Sequence, residues 1–182
     1  RLTDIRDDEA LAVGSLLAAV WPKPDRGPVE RAVQVKAIGK DYDGPEALAP
    51  ISYLVHDGDL VIGHSLTFAR EIATVEGPLT VMALAMVATD PDRRGQGLGA
   101  AVVEAAFERA IADDFAACLY QTSFKVEPFY ERLGACRVTN RIVNSLSKDD
   151  PESNPFWDEV VMRYPATAAW PDGEIDLRGK GY

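Results

Sequence analysis

The sequence predicts an α/β chain built on a mixed sheet covered on both sides, and three observations carry that prediction. Apolar residues recur at helical spacing near the start, an Asp57-Gly58 pair joins two β-rich runs, and a strand at 79–88, apolar on both faces, leads into a glycine run and an Ala-rich helix. A strand apolar at odd and even positions alike cannot face water on either side, so it belongs at the centre of the sheet.

Each element has its own warrant. Asp7 and Asp8 offer a cap and favourable negative charge to a first helix whose Val13, Leu16, Leu17, Val20 and Trp21 fall on one face, and Pro22 stops it. A second helix starts at Pro28, a residue suited to a first turn, and turns Val29, Ala32, Val33 and Ala37 inward until Gly39. From 51 to 68, two apolar segments flank His56-Asp57-Gly58-Asp59, a hairpin signal because these residues tolerate positive φ. The second arm alternates, with Leu60, Ile62, His64, Leu66 and Phe68 on one face and Val61, Gly63, Ser65 and Thr67 on the other. The helix over 98–112 exposes Glu104 and Glu108 and offers Val102, Val103, Ala106, Phe107 and Ala110 to a core. A strand at 117–122 precedes a short helix that starts at Pro128 and is ended by Gly134. Two β-like runs, 137–146 and 159–164, flank a polar stretch at 148–155. Residues 156–182 read as a terminal strand and an aromatic tail, with Trp157, Tyr164, Trp170 and Tyr182. Those rings either pack over the sheet or line an acceptor pocket or a dimer contact.

Composition bounds the setting. A chain of 182 residues with 47% apolar and 26% charged content is read as one domain, 1–182, with a sizeable core. The formal charge of -10 argues against nucleic acid as the main partner and mildly favours a cationic or amine substrate. Cys118 and Cys136 lie in no metal or redox spacing and are expected to be reduced and buried. The apolar run 81–88 is too short to span a bilayer, and the charged start is not a secretory signal, so no membrane role and a cytoplasmic location are expected.

The run Arg94, Gly95, Gln96, Gly97, Leu98, Gly99, Ala100 reads as an anion-binding turn. Glycines let the backbone approach a ligand closely, and the following helix supplies free amides and a positive dipole end, so a diphosphate is the natural guest. Gly95-x-Gly97-x-x-Ala100 formally fits the dinucleotide fingerprint, but residues 89–94 separate it from its strand. No Lys-Ser/Thr pair follows the last glycine, which removes a phosphate-transfer loop.

What remains, Arg94-x-x-Gly97-x-Gly99 between a strand and a helix, resembles the acetyl-coenzyme A signature of the GNAT (Gcn5-related N-acetyltransferase) superfamily. A second segment, Pro128-Phe129-Tyr130-Glu131-Arg132-Leu133-Gly134-Ala135, resembles the family's downstream helix, with Ala135 where Phe is preferred and Ser123 where many members carry Asn. The resemblance implies a central, mostly antiparallel sheet with helices on both faces and a splayed central strand pair. It implies acetyl-coenzyme A as co-substrate and no metal. By position it assigns Val87, Ala88 and Thr89 to the acyl group and pantetheine, and Gly95, Gln96, Gly97, Leu98, Gly99 and Ala100 to the pyrophosphate, with Arg94 either holding the loop or meeting phosphate. Ser123 takes the position of the pantetheine-contacting Asn. Backbone amides would stabilise the oxyanion formed by amine attack, and Tyr130 would return a proton to the departing thiolate.

The expected activity is N-acetyl transfer to a small-molecule primary amine by direct attack in a ternary complex, and a homodimer is one assembly the sequence allows without fixing the oligomeric state. A non-catalytic acyl-coenzyme A binding module and a protein- or tRNA-modifying acetyltransferase are the alternatives. The central strand Val81-Met82-Ala83-Leu84-Ala85-Met86 has no ionisable group, so the general base falls to His64, Glu71 or Glu76, directly or through water. His64 has the right intrinsic pKa but shares a face with Leu60, Ile62, Leu66 and Phe68.

Overall fold

The computed structural model describes residues 1–40, 42–113 and 115–182. They form two compact units, residues 1–68 with 85–108, and residues 69–84 with 109–182.

The first unit opens with α1 (Asp7–Val20), which places Asp7, Asp8 and Glu9 in its first turn. None acts as a cap: the cap position is Arg6, without a side-chain bond, so the acidic residues act through the helix dipole alone. Helix α2 (Pro28–Lys40) presents a different face from the one its hydrophobic spacing suggests. Val29 and Val33 are 60% and 63% exposed and Ala37 is exposed, while Arg31, Ala32, Val35 and Gly39 are buried. The reason is backbone contact. A Cβ on Gly14 of α1 would lie 2.2 Å from the Pro28 carbonyl oxygen and 2.8 Å from the Ala32 amide nitrogen, so the helices meet at their smallest residues. Arg31 is buried in this contact and donates from Nη2 to the carbonyl of Trp21 at 3.1 Å, and the Trp21 ring points outward, contrary to its helical spacing. Gly14→Ala is therefore expected to destabilise the protein by about 3 kcal/mol through overpacking. Urea unfolding would show this as a lower midpoint at unchanged m-value. An unchanged midpoint would contradict the close helix contact.

Strand β1 (Ile51–Asp57) pairs antiparallel with the first part of β2 (Leu60–Thr74), closing at Asp57↔Leu60 around the Gly58 turn. The predicted alternation along β2 is not seen in its burial: every residue from Val61 to Thr67 is buried. Both faces are covered, because Ser65 Oγ donates to the Val102 carbonyl of α3 (Leu98–Ala112) at 2.7 Å while Leu66 packs with Leu2, Val13, Leu16, Leu17 and Val35. Ala88 of β3 (Gly77–Thr89) joins that cluster.

In the second unit, the remainders of β2 and β3 form a hairpin around Val75 and Glu76, and the sheet order is β5-β7-β4-β3-β2-β8-β6. Here β4 is Cys118–Thr122, β5 Cys136–Arg137, β6 Ile142–Val143, β7 Val160–Tyr164 and β8 Ile175–Asp176. Pairing is antiparallel except where β3 meets β4 and β6 meets β8. The β3–β4 ladder holds only Met82↔Cys118 and Ala83↔Leu119, while β4 stays paired with β7 through Thr122↔Val160. The β-run expected at 137–146 reduces to β5 and β6. Between them Asn140 donates from Nδ2 to the Pro171 and Gly173 carbonyls and accepts from Trp170 Nε1 at 2.9 Å, so this stretch serves the 170–173 turn instead of a ladder. Helix α4 (Glu127–Arg132) is held by a two-point ion pair from Arg137 to Glu127 at 2.7 and 2.6 Å.

The aromatic tail is core in this unit. Tyr182 meets Phe156 edge-on at 5.2 Å under the Arg70 guanidinium, and Trp170 packs against the cluster of Ile72, Val81, Leu119, Ile175 and Leu177. Trp157 alone among these rings stands well exposed. Both cysteines are free, Cys118 buried as expected and Cys136 only partly so. Among the described residues no helix is long and apolar enough to cross a membrane.

Candidate active site

Strand β3 carries a feature its sequence does not announce. Met86, a non-glycine residue inside the strand, has φ 52, a left-handed conformation that costs about 1–3 kcal/mol unless its surroundings enforce it. The Met86 carbonyl faces His64 on β2. Its Nδ1 lies 2.8 Å from the Met86 carbonyl oxygen and its Nε2 3.0 Å from Ser52 Oγ on β1. A carbonyl only accepts, so Nδ1 carries the hydrogen, and a neutral ring then accepts from the Ser52 hydroxyl at Nε2. Ser52 and His64 are diagonal neighbours on one face of the hairpin, since Ser52 pairs with Leu66 and Leu54 with His64.

His64 is fully buried, and that burial lowers its pKa from 6.5 to about 4 against a small opposing contribution from the Met86 carbonyl. With both nitrogens committed to protein partners, the ring proposed from sequence as a base is held neutral inside the sheet. Unfolding returns it to its ordinary value, so between pH 6.5 and 4 the unfolded chain binds a proton that the folded chain does not. The stability this contributes is fully present above about pH 6.5 and is lost as pH falls toward 4, amounting to about 3 kcal/mol. Urea titrations at pH 7 and pH 4.5 should show that loss in the parent protein and a smaller one in His64→Phe; equal losses would refute the assignment.

Beyond Thr89 the chain is anchored before it reaches the glycines. The Asp90 amide donates to the Ile62 carbonyl at 2.9 Å, Asp90 Oδ1 accepts from the Asp92 amide at 2.9 Å, and Pro91–Arg93 form a 3-10 turn. Arg93 forms an ion pair with Asp57, the last residue of β1 before the hairpin turn. No spacing in the sequence signals this pair, since the two residues lie 36 positions apart. Arg93 thereby holds the loop, and Arg94 stands exposed with no carboxylate partner among the described residues.

Gly95 and Gly97 take φ 81 and 79, and a Cβ built on either would meet nothing within 4 Å. Gly99 lies in the first turn of α3. The amides of residues 95–100 donate no hydrogen bond within the protein among the described residues, the first internal bond being Ala101 to the Gly97 carbonyl. A row of unengaged amides at the start of a 15-residue helix, open space above two glycines and one uncommitted arginine is a donor set suited to a pyrophosphate. Upstream, Val87 and Thr89 are half-buried and Ala88 is buried.

The other residues singled out from sequence lie in the second unit. The Ser123 carbonyl accepts from the Val126 and Glu127 amides, starting α4. Tyr130 is buried, 4.6 Å ring to ring from Tyr120 and 5.0 Å from Phe129. Burial, and secondarily the Cys118 thiol, pushes its phenol well above the ordinary range, so it stays protonated at neutral pH. Glu71 is paired with Arg178 at 2.7 Å. Glu76 is exposed in the β2–β3 turn, with the thirteen residues of β3 between it and Asp90. No group of three or more His, Cys, Asp or Glu able to hold a metal occurs among the described residues.

A mixed sheet whose central strand runs through a glycine loop into a helix is an arrangement that comparison with known proteins finds elsewhere. Residues 51–134 match the acetyltransferase (GNAT) domain family. Among solved structures of similar fold, an acyl-CoA N-acyltransferase from Pseudomonas aeruginosa shares 20% identity over 89% of this chain and 93% of its own, with a TM-score of 0.56. Glucosamine-6-phosphate N-acetyltransferase from Arabidopsis thaliana gives 14%, 74%, 90% and 0.59 for the same quantities. An acetyltransferase from Trypanosoma brucei gives 21%, 71%, 87% and 0.54. No curated protein matches the chain in sequence. Residues 51–134, a little under half of the chain, thus resemble a GNAT acetyltransferase domain, and the chain shares the fold of these structures.

Proposed function

We propose that this protein is an acetyl-coenzyme A-dependent N-acetyltransferase that acylates the primary amine of a small molecule by direct transfer in a ternary complex. The observation that carries the reading is the glycine loop, with its unengaged amides from Gly95 to Ala100 and open space over Gly95 and Gly97. These amides and Arg94 would hold the pyrophosphate, and Val87, Ala88 and Thr89 would meet the pantetheine and acyl end. When bound, acetyl-coenzyme A supplies the activated acyl group. The chain supplies orientation, a backbone donor for charge developing on the acyl oxygen, and a protonated phenol at Tyr130 for the leaving sulfur.

The apolar run 81–86 offers no base, and Glu71 is paired with Arg178, so an amine that reaches the site already neutral, or that loses its proton to water, fits these residues. The net charge of -10 suits a cationic acceptor in solution. A thiol-release assay with acetyl-coenzyme A across a panel of small amines tests the proposal. Release that depends on one class of amine supports it. Tight acetyl-coenzyme A binding with no release across the panel would make the chain a binding module, and acetylation of protein or tRNA alone would replace the small-molecule acceptor.

A further inference from the structure

We infer that His64 is a positioning residue for acyl transfer, which fixes the direction of the Val87 N–H by holding the Met86 carbonyl. The inference rests on the acetyltransferase reading above. Its physical basis is the peptide unit itself. Met86 C=O and Val87 N–H belong to one planar trans peptide, so they point in opposite directions. His64 Nδ1 holds the carbonyl at 2.8 Å on one side, and the Val87 N–H is thereby directed to the other.

Three further observations bear on it. The peptide follows a residue at φ 52, a conformation that Met would leave without an enforcing partner. His64 is itself fixed, because Ser52 Oγ at 3.0 Å engages Nε2 and leaves Nδ1 as the only hydrogen-bearing nitrogen. The ring is also fully buried, so no water competes for the Met86 carbonyl. A buried, neutral, doubly bonded histidine serves badly as a base and well as a spacer of fixed length. In this role it touches no substrate and moves no proton. It sets in advance the angle of a backbone donor, and a donor that needs no reorientation during reaction is the kind that stabilises developing charge most.

The test compares His64→Phe, His64→Asn and Ser52→Ala in the full chain. Phe keeps bulk and removes the donor, whereas the Asn amide nitrogen can take the place of Nδ1. With an amine identified by the panel, His64→Phe is expected to lower kcat about 30-fold while KM for acetyl-coenzyme A changes less than about threefold. His64→Asn should recover most of kcat, and Ser52→Ala should lie between it and the parent protein. A second readout needs no turnover. Acetyl-coenzyme A should shift the Val87 amide resonance relative to coenzyme A in the parent protein, and this difference should vanish in His64→Phe and return in His64→Asn.

An unchanged kcat in folded His64→Phe would overturn the inference while leaving the acetyltransferase reading intact. Loss in His64→Asn equal to that in His64→Phe would also overturn it, since packing alone would then explain both. If the parent protein neither binds acetyl-coenzyme A nor releases thiol, the reading fails and the inference with it. Should His64→Phe fail to fold, the Val87 resonance in His64→Asn and Ser52→Ala decides: an acetyl-dependent shift kept in the first and reduced in the second supports the inference, and equal shifts in both overturn it.

Discussion

Gly97→Glu is expected to abolish acetyl-coenzyme A binding without unfolding the protein. The substituted side chain meets nothing within 4 Å at Cβ, so it clashes with no protein atom there, although φ 79 imposes a local backbone cost on the order of 1–2 kcal/mol. Its carboxylate would stand among the unengaged amides of residues 95–100, where the proposed pyrophosphate belongs. At about 4 Å and an effective dielectric near 20, each like-charge pair costs on the order of 4 kcal/mol before salt screens it. Affinity should therefore fall by about 100-fold or more in isothermal titration calorimetry. Gly97→Ala separates the causes, since it brings the same backbone cost with no charge and should lose far less. Unchanged affinity in Gly97→Glu would remove the anion site.

Tyr130→Phe should lower turnover much more than it lowers affinity for acetyl-coenzyme A. The phenol is buried against Tyr120 and Phe129, and its raised pKa keeps it protonated across the neutral range, the state required of a donor to a leaving thiolate. Removing one hydroxyl leaves ring packing intact, so stability should shift by no more than about 1 kcal/mol. General-acid assistance is worth about 100-fold or more, and kcat should fall on that scale with little change in KM. A full pH–rate profile equal to that of the parent would exclude the acid role. Equal losses in kcat and stability would instead mark Tyr130 as a packing residue.

The parts of the molecule that were readable in advance are those governed by local chemistry. The helix after the glycine run spans residues 98–112 as expected, a two-residue turn at Gly58-Asp59 closes the expected hairpin, and the doubly apolar strand lies inside a sheet. The glycines at 95 and 97 could be recognised because only glycine adopts their φ at no steric cost. What escaped the sequence depends on neighbours far along the chain. The inward face of α2 is decided by Gly14 touching Pro28 and Ala32, which no hydrophobic periodicity within α2 encodes. Strand β2 extends to Thr74, beyond the expected end near Phe68, because β8 supplies a further ladder at Ala73↔Asp176 and Thr74↔Ile175.

His64 illustrates the same division at the site. Its residue type and its place on an apolar face were visible, and both a catalytic base and a satisfied core histidine followed from them. The distinction required knowing that the Met86 carbonyl turns toward it, a consequence of a left-handed residue 22 positions away. Asp57 and Arg93 show it again, as each alone reads as an ordinary surface charge and only the fold joins them.

That ion pair has a consequence for the timing of ligand capture. With Asp90 bonded to Ile62, Arg93 held by Asp57 and α3 beginning at Leu98, only the four residues 94–97 lie between two fixed ends. Ordering a backbone residue costs about 1–2 kcal/mol, so the freedom that the proposed diphosphate would remove on arrival is confined to that span. The proposed guest would then find most of its receptor already in shape, and encounter would pass into docking with little rearrangement between them.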